Sequence, residues 1–301
     1  MFDIKKPVKV DESREAKRLL GQPVANQIDL STANIVSTLD RPPALQIITL
    51  VGDEANDASL SYANSVSRRA KKLGIDAAIV HCKTTNDVMT SIAFANASSA
   101  VDAIIVMDDD RLRDVKSTDG YPIATGKDVD CMSFDSQALL YTGIDKNKTA
   151  HPFAPCTPEA VIAIMKHYDI PIDGSDICIV GRSSTVGKPL AHMLTNMNAT
   201  VTLCHSHTKD VMNDIMDSDI AIFATGHPRA YGVEMFTQRQ SVIDVATNMD
   251  ESGKMCGDVD FESVQHVVEA ITPVPGGVGT VTTSVLLNHV AQAALQNRSR
   301  R

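Results

Sequence analysis

The sequence predicts an α/β protein of two lobes, each containing parallel strands. Apolar runs of strand length alternate with helical patterns, which is the signature of a parallel sheet whose two faces are both covered. This alternation occurs in two series, joined near residues 140–155. Of the 301 residues, 43% are hydrophobic, and a chain of this length typically forms two domains with real cores.

The first series predicts three strands and two helices. The run LQIITLV is almost uniformly apolar, as expected of a buried strand, and Gly74 marks the end of the helix that follows it. A polar, irregular stretch from residue 108 to residue 130 closes the series. The predicted strands are 45–51, 76–82 and 101–107, and the predicted helices are 59–73 and 85–97.

The second series begins with the segment PFAPCTPEAVIAIMKHY. Thr157 is a residue type that caps helices, and Pro158 suits the first helical position because an N–H group there has no helical partner. Four apolar strands follow, and the C-terminal segment has a helical period. The predicted strands are 176–181, 199–205, 219–225 and 240–246, and the last helix is 280–296.

Composition and charge exclude several classes of protein. The formal net charge of −9, without a long basic stripe, argues against nucleic acid as the main partner. The N-terminus has no apolar signal core and no run of about 18 apolar residues occurs, so we expect a cytoplasmic protein with no membrane partner. The six cysteines are scattered without a CxxC pair, which argues against a disulfide framework or structural zinc. Cys178 and Cys204 lie in apolar runs and should behave as small hydrophobes.

A glycine-bearing turn follows the first strand of the second series, in the stretch ICIVGRSSTVGKPLAHML (Ile177–Leu194). Its free backbone N–H groups and the positive end of the following helix form a favourable site for phosphate. Gly181 allows a tight turn, and Gly187 allows a helix, strand or ligand to approach closely. The turn lacks the GxGxxG pattern, so an ordinary β-to-α turn is the alternative.

The end of the next strand, from His205 to Lys209, favours NADP over NAD. NAD-binding folds usually place a carboxylate there to hold the ribose 2′-hydroxyl, and the segment HSHTK has none. Its hydroxyls and cations, together with Arg182 in the preceding turn, suit a 2′-phosphate. A simple polar strand end is the alternative. The two histidines lack a nearby third ligand, so no metal site is predicted.

A second distinctive segment, ITPVPGGVGTVT (Ile271–Thr282), contains two prolines and three glycines. Such a loop is stiff and tightly turned, and it exposes backbone groups. It is either a structural crossover before the last helix or a loop that contacts a flat ligand through its backbone.

These two segments together resemble the methylenetetrahydrofolate dehydrogenase/methenyltetrahydrofolate cyclohydrolase family. GRSSTVGKP is similar to the cofactor turn of that family, and TPVPGGVG is similar to its most distinctive motif. Four shorter motifs also match, in the right order, so the resemblance covers nearly the whole chain. They are VGD (Val51–Asp53), KDVD (Lys127–Asp130), PCTP (Pro155–Pro158) and GDVDF (Gly257–Phe261).

The resemblance implies a two-step folate enzyme of one-carbon metabolism, both an oxidoreductase and a hydrolase. The dehydrogenase moves a hydride from 5,10-methylenetetrahydrofolate to NADP, and the cyclohydrolase adds water to the methenyl product to give 10-formyltetrahydrofolate. The resemblance also implies a homodimer, with folate between an N-terminal catalytic lobe and a C-terminal Rossmann-like NAD(P) lobe. The last helix returns to the first lobe, so the implied domains are residues 1–148 plus 281–301 (catalytic) and 149–280 (NAD(P)-binding).

The resemblance assigns roles to individual residues. Tyr62 and Asp130 are the implied catalytic residues. The implied folate-binding residues are Ser59, Tyr62, Asp130, Pro275, Gly276, Gly277, Val278 and Gly279. The implied cofactor-binding residues are Gly181, Arg182, Ser183, Val186, Gly187, Ser206, His207, Thr208 and Thr247.

Two catalytic positions depart from the family pattern. The family carries a lysine four residues after the tyrosine that matches Tyr62, and Val66 occupies this position. Residues four apart share a helix face, so a valine stands where the ammonium group is expected. The family glutamine after the third strand is replaced by Met107. Arg68 and Arg69 follow on the helix, but Arg68 lies on another face and arginine, which stays protonated, is a poor proton carrier.

These departures affect the two chemical steps differently. Hydride transfer needs mainly the orientation of its two reactants, whereas water addition needs a group that moves a proton near neutral pH. We therefore expect an NADP-dependent dehydrogenase whose cyclohydrolase step is doubtful. One alternative is a degenerate family member that binds dinucleotide or folate without chemistry. Another is an NADP oxidoreductase for a different, cationic substrate, drawn by the acidic run Asp108–Asp110.

Overall fold

The structure, a computed structural model, describes residues 13, 15–52, 58–107, 110–112, 115, 120–142 and 153–299. The chain divides into two compact units. The six-stranded unit comprises the described residues of 1–25 and 157–282, and the three-stranded unit comprises those of 26–156 and 283–301.

Helices and strands alternate along most of the chain. The elements of the first half are β1 (Lys17–Arg18), α1 (Gly21–Ser37), β2 (Ala44–Leu50), α2 (Ala58–Lys72), β3 (Asp76–Cys82), α3 (Thr85–Ala97), β4 (Ala103–Val106), a 3-10 turn (Asp110–Leu112) and α4 (Phe134–Thr142). The elements of the second half are α5 (Cys156–His167), β5 (Asp176–Val180), α6 (Gly187–Thr195), β6 (Thr200–Cys204), α7 (Val211–Asp217), β7 (Ile220–Phe223), a 3-10 turn (Val233–Met235), β8 (Ser241–Asp244), β9 (Asn248–Met249), β10 (Met255–Cys256), α8 (Phe261–Val264), β11 (Ala270–Ile271) and α9 (Val278–Arg298).

Parallel strands in the order β3–β2–β4 form the sheet of the three-stranded unit. The register places Leu45 of β2 opposite Ala77 of β3 and Ala103 of β4. Ile47 and Ile48 point to opposite faces of the sheet, and both are fully buried, so both faces are covered. The predicted strands and helices of this series are confirmed, with ends that shift by no more than two residues.

The end of α2 and the start of α3 follow local sequence rules. Gly74 has a φ of +73°, a left-handed conformation that favours glycine, and it ends α2 as predicted. Helix α3 begins with a capping box in which Thr84 Oγ1 accepts the Asp87 N–H and the Asp87 carboxylate accepts the Thr84 N–H. These boundaries are therefore set by residues adjacent in the chain.

Parallel strands in the order β1–β11–β8–β7–β5–β6 form the main sheet of the six-stranded unit. The chain order reverses at β5, because β6 pairs on one side of it and β7 on the other. Ligands of open α/β sheets bind outside the carboxyl ends of the strands at such a reversal. The observed strands β5 to β8 all lie within their predicted ranges, so this series of strands is confirmed.

The beginning of the chain contributes an edge strand to the main sheet. Lys17 and Arg18 pair in parallel with Ala270 and Ile271. The prediction grouped residues 1–148 in one domain, whereas β1 belongs to the six-stranded unit. A strand of two residues has no hydrophobic period, so this pairing could not be read from the sequence.

Two helices begin earlier than predicted. Helix α5 begins at Cys156, one residue before the predicted cap Thr157, and Asp130 Oδ1 accepts the Cys156 N–H at 2.7 Å. The carboxylate that satisfies this N–H is thus remote in sequence, and not the adjacent threonine hydroxyl. The last helix begins at Val278, inside the glycine-rich segment, and not at residue 280.

A buried carboxylate ties the end of α9 to the sheet of the three-stranded unit. Asp102, which is 2% exposed, accepts hydrogen bonds from Arg298 (2.6 Å), Arg41 (3.1 Å) and the Ala44 N–H (2.9 Å). Arg298 also pairs with Asp40 at 3.1 Å, but the Asp40 side chain is 82% exposed. The two ion pairs of Arg298 therefore differ mainly in burial.

We expect Asp102→Ala to lower the free energy of unfolding by about 3 kcal/mol, because it leaves the largely buried Arg298 guanidinium without its main partner. Asp40→Ala removes a solvent-exposed partner of the same arginine and should cost less than about 1 kcal/mol. Chemical denaturation of both variants measures the difference. Equal losses would show that burial does not decide the contribution of these pairs.

Candidate functional site

The turn between β5 and α6 is closed so tightly that it excludes side chains at two positions. Gly181 has a φ of +123°, and a Cβ added there would lie 2.3 Å from the carbonyl oxygen of Ala224. A Cβ added to Gly187 would lie 1.8 Å from the carbonyl oxygen of Gly181. Both distances are far below van der Waals contact, so the backbone itself lines this edge of the sheet at the chain-order reversal.

Ser183 organises the start of α6. Its hydroxyl accepts the N–H groups of Val186 (3.1 Å) and Gly187 (3.4 Å), and its carbonyl accepts the Lys188 N–H (3.1 Å). Val186, the residue before the helix, provides no side-chain cap, so the serine takes over that task. Arg182 and Ser183 are exposed at the rim of the turn. The predicted phosphate site therefore lies at a helix start that is already ordered.

Arg182 lies close to two histidines at the end of β6, beside this turn. Thr208 Oγ1 accepts the His205 N–H (2.9 Å), and His205 Nδ1 accepts the His207 N–H (3.1 Å), so this strand end is folded back on itself. Partial burial, followed by the charges of Arg182 and His207, lowers the pKa of His205. Ser206 and His207 are exposed. The structure thus brings Arg182 together with the predicted residues of the β6 end.

Asp258 holds the loop after β7, a role that the sequence analysis missed. The Asp258 side chain is fully buried, and it accepts the N–H groups of Thr225 (2.6 Å) and His227 (2.7 Å) and the side-chain amide of Asn248 (2.9 Å). This loop continues from Ala224, the residue that closes on Gly181. The GDVDF motif was visible in the sequence, but its spacing gave no sign that the aspartate binds another loop.

A second buried carboxylate, Asp244, was also missed. It lies at the end of β8, is 3% exposed, and accepts the N–H groups of Val259 (2.8 Å) and Asp258 (3.2 Å). Burial raises the pKa of Asp244 to about 7. Gly257 is required beside it, because a Cβ there would lie 2.0 Å from Asp244 Oδ2. The two aspartates and the glycine therefore fix the loops that follow β7 and β8.

The glycine-rich loop packs against the start of α1. The Gly21 N–H donates to the carbonyl of Gly276 (2.8 Å), and a Cβ on Gly21 would lie 2.1 Å from the carbonyl oxygen of Gly277. Pro275 and Gly276 are exposed, whereas Gly277 and Val278 are buried. These contacts show a structural role for the loop, and the predicted folate contacts of Pro275 to Gly279 remain predictions.

A cavity of about 190 Å³ lies beside this loop, within the six-stranded unit. Asp244, Lys254, Phe261 and residues 272–275 are among its lining residues. Thr247, a predicted cofactor residue, is exposed, and its Oγ1 lies 3.9 Å from the position of a Cβ on Gly279. The structure therefore brings the predicted residue Thr247 next to the glycine-rich segment.

Tyr62 and Asp130, the predicted catalytic residues, belong to one polar cluster in the three-stranded unit. The Tyr62 ring is 39% exposed, but its hydroxyl end is desolvated, and this burial raises the pKa of Tyr62 to about 12 against the effect of a hydrogen bond with Thr283. The negative charge of Asp130 is a smaller cause that also raises that pKa. Burial raises the pKa of Asp130 to about 6, and the bond from the Cys156 N–H opposes this rise.

Val66 and Met107, which the sequence analysis aligns with the lysine and glutamine expected from the family resemblance, carry no chemistry. Val66 lies on the core face of α2, fully buried like Ala63 and Ala70. Met107 is 3% exposed, and its N–H continues the sheet by donating to Ile48 (2.8 Å). Neither side chain can donate or accept a proton.

Of the remaining residues that the sequence analysis singled out, the structure describes one and leaves three undescribed. Ser59, a predicted folate residue, lies half-buried on α2. Asp53 of the VGD motif and the acidic residues Asp108 and Asp109 lie outside the described residues.

Arg69 is a basic residue of this cluster that the sequence analysis dismissed. Its guanidinium donates to Asp29 Oδ2 (3.0 Å) and to the hydroxyl of Ser284. The charge of Arg69 lowers the pKa of Tyr62, so it acts on the tyrosine despite its distance along the chain. The overlooked signal is the spacing of seven residues, which brings a helical side chain back to nearly the same face.

Three broader features complete the description of the site. Among the residues that the structure describes, the six cysteines are buried and form no disulfide, with Cys178 and Cys204 in the core as expected. Within the ranges that the structure covers, no three His, Cys, Asp or Glu side chains are placed to hold a metal ion. In the same part of the chain, no helix has the length and apolar character needed to span a membrane.

Comparison with known proteins assigns a family to both units. Residues 155–298 match the sequence model described as the tetrahydrofolate dehydrogenase/cyclohydrolase, NAD(P)-binding domain. The chain is 40% identical over 258 residues to the bifunctional protein FolD of Clostridium botulinum (strain Kyoto / Type A2), an alignment that covers 85% of this chain and 89% of that protein.

Solved structures give the same result. The bifunctional FolD methylenetetrahydrofolate dehydrogenase/cyclohydrolase of Campylobacter jejuni superposes with a TM-score of 0.84 at 32% identity, covering 95% of this chain and 100% of that one. The Trypanosoma brucei N5,N10-methylenetetrahydrofolate dehydrogenase-cyclohydrolase, solved with NADP and an inhibitor, superposes with a TM-score of 0.81 at 28% identity, covering 95% and 99%.

The position of Arg182 in the β5–α6 turn predicts a preference for NADP over NAD. We expect Arg182→Ala to weaken NADP binding about tenfold, because a charge-assisted contact to the 2′-phosphate is lost. The affinity for NAD is the internal control, since NAD lacks that phosphate, and it should change less than about twofold. Calorimetric titration of both dinucleotides measures the ratio. Equal weakening of both would show that Arg182 does not read the 2′-phosphate.

Proposed function

Because the chain belongs to the tetrahydrofolate dehydrogenase/cyclohydrolase family, we propose that it is an NADP-dependent 5,10-methylenetetrahydrofolate dehydrogenase. The observation that carries this proposal is the polar cluster of Tyr62 and Asp130 in a chain whose β5–α6 turn is intact. The six-stranded unit would hold the dinucleotide, and the three-stranded unit would hold the pterin end of the folate.

The β5–α6 turn fits a dinucleotide. At Gly181 and Gly187 the space that a side chain would need is already filled by backbone, so the turn is tight and brings a ligand close to the positive end of α6. Arg182 and the exposed Ser206 and His207 supply the cation and hydroxyl expected around a 2′-phosphate. NADP, when bound, supplies the nicotinamide ring that accepts a hydride.

The folate-facing residues act by positioning the substrate and not by bonding to it covalently. Asp130, when ionised, accepts hydrogen bonds from the N–H groups of a pterin ring, and the half-exposed ring of Tyr62 offers a flat apolar surface. Hydride transfer requires no proton donor, so this orientation suffices for the first step.

The second step, water addition, lacks its usual means of moving a proton. Val66 and Met107 are apolar and buried, and an arginine side chain is a poor proton carrier. Of the two predicted catalytic residues, Asp130, whose pKa is raised to about 6, titrates closer to neutral pH than Tyr62, whose pKa is raised to about 12. We therefore propose that the dehydrogenase step is efficient and the cyclohydrolase step is slow.

A second candidate function is a family member that binds dinucleotide or folate without turning over. The apolar pair Val66 and Met107 favours it, because both substitutions remove polar groups from one site. A third candidate, an oxidoreductase for a cationic substrate, depends on Asp108 to Asp110, a run that the structure largely leaves undescribed.

The proposal for assembly and location is supported by the family resemblance alone. We propose a homodimer in the cytoplasm that acts on a folate and on neither nucleic acid nor membrane. Light scattering of the purified protein measures the oligomeric state directly.

The proposed function predicts that the methenyl product accumulates. Purified protein is mixed with 5,10-methylenetetrahydrofolate and NADP, and methenyl formation and its decay to the formyl product are followed separately. Formation without accelerated decay supports a dehydrogenase with a slow second step. Formation with enzyme-accelerated decay would show that a group of this chain replaces the lysine. No turnover, with NADP bound in calorimetry, would favour the binding protein.

The raised pKa of Asp130 predicts how the reaction depends on pH. We expect kcat/KM for the folate to fall about tenfold per pH unit below the Asp130 pKa of about 6, because the protonated carboxyl no longer accepts the pterin N–H groups. The pH dependence should vanish in Asp130→Asn, whose activity should be low throughout. A wild-type profile that stays flat down to pH 4.5 would contradict the proposal.

Unfolding does not explain the expected loss. The pKa of Asp130 is raised by burial, so the folded state binds its proton more tightly than the unfolded state does. Lowering the pH through 6 therefore stabilises the fold at this residue, with the full effect reached below its ordinary pKa. Thermal melting at each pH is the control.

A further inference from the structure

The polar cluster around Tyr62 includes the Arg69 guanidinium, which hydrogen bonds hold in place. Tyr62 and Arg69 are seven residues apart on α2, which corresponds to a rotation within about 20° of two full turns. Arg68 is rotated away from that face by about 120° and is exposed to solvent. Arg69 is therefore on the face of α2 that carries Tyr62, whereas its neighbour is not.

Two helices hold the Arg69 guanidinium. Asp29 of α1 pairs with it at 3.0 Å, and the two side chains are 23% and 24% exposed, so both are mostly shielded from water. Ser284 of α9, which is fully buried, accepts a hydrogen bond from the same nitrogen. The residue before this serine, Thr283, bonds to the Tyr62 hydroxyl. Arg69 and Tyr62 therefore meet adjacent residues of α9, Ser284 and Thr283.

Only one oxygen of the Asp29 carboxylate pairs with the Arg69 guanidinium. Asp29 Oδ2 meets the guanidinium, while the buried Asp29 Oδ1 has no hydrogen-bond partner among the residues that the structure describes. Burial raises the pKa of Tyr62, and the positive charge of Arg69 opposes that rise. The guanidinium has five N–H donors in a planar fork, which suits oxygen ligands, and it is less strongly hydrated than an ammonium group.

We propose that Arg69 is a substrate-binding residue of the folate site, and that its guanidinium contacts an oxygen of the folate next to Tyr62. The inference rests on the proposed function, because it assumes that Tyr62 faces the folate. It assigns Arg69 the task of attracting and orienting an electron-rich group, and it does not make Arg69 a proton carrier. Asp29 and Ser284 are positioning residues that keep the cation in place.

Substitutions at Arg69 separate its charge from its hydrogen bonds. We expect Arg69→Gln to raise KM for 5,10-methylenetetrahydrofolate about tenfold or more, and Arg69→Lys to raise it only about threefold, because lysine keeps the charge. Arg68→Gln removes an exposed arginine next to it in sequence and is the matched control, with a change below about twofold. The Kd for NADP should stay within about twofold of wild type in all three variants.

A double variant distinguishes this proposal from a merely structural ion pair. Arg69→Gln leaves Asp29 without its cation, so part of its effect comes from a stranded carboxylate, and Asp29→Asn removes that carboxylate. In the double variant we expect the melting temperature to recover while the folate KM remains raised. Recovery of both would overturn the proposal, as would a wild-type KM in Arg69→Gln.

The failure of this inference and the failure of the proposed function give different results. Calorimetry with tetrahydrofolate itself is performed on the wild-type protein and on Arg69→Gln. Wild-type protein that binds no tetrahydrofolate and does not turn over would overturn both. Wild-type protein that turns over normally, with Arg69→Gln binding tetrahydrofolate equally well, would overturn the role of Arg69 alone.

Discussion

The close contact of backbone at the carboxyl ends of β5 and β7 is the constraint on which the six-stranded unit depends. Gly181 meets the carbonyl of Ala224 at a distance that no side chain could occupy, and Gly187 then meets Gly181. Buried carboxylates maintain this contact, because Asp258 holds the loop after β7 and Asp244 holds Asp258. Burying two carboxylates is costly unless their oxygens are bonded, so these loops have little freedom to rearrange.

The constraint in the three-stranded unit is different, because polar groups must stay ordered on one face of α2. Helix α2 packs Ala63, Val66 and Ala70 into the core and turns Tyr62 and Arg69 toward a polar cluster. The cluster belongs to the folded unit as a whole, since α1, α9 and the segment at Asp130 all contribute to it. Burial raises the pKa values of Tyr62 and Asp130, and perturbed pKa values of this kind are typical of functional sites.

This arrangement separates binding from proton transfer. A permanently charged guanidinium attracts an electron-rich ligand at every working pH, but it neither takes up nor releases a proton. Asp130 can do so, although its titration is set below neutral pH. Orientation of a folate against a dinucleotide needs only the first property, whereas addition of water needs the second. The residues of the cluster are therefore better suited to a dehydrogenase than to a cyclohydrolase.

The sequence by itself determined the α/β class, the strands β2 to β8 apart from small shifts at their ends, and the family. These features are local: a buried strand is an apolar run, a helix end is a glycine, and the turn at Gly181 follows a strand directly. Only the tertiary structure decided that Lys17 and Arg18 join the main sheet, that Asp130 bonds to Cys156, and that Asp29 and Ser284 hold Arg69. These contacts join residues remote in the chain and carry no periodic signal, so their partners become visible only when the chain is folded.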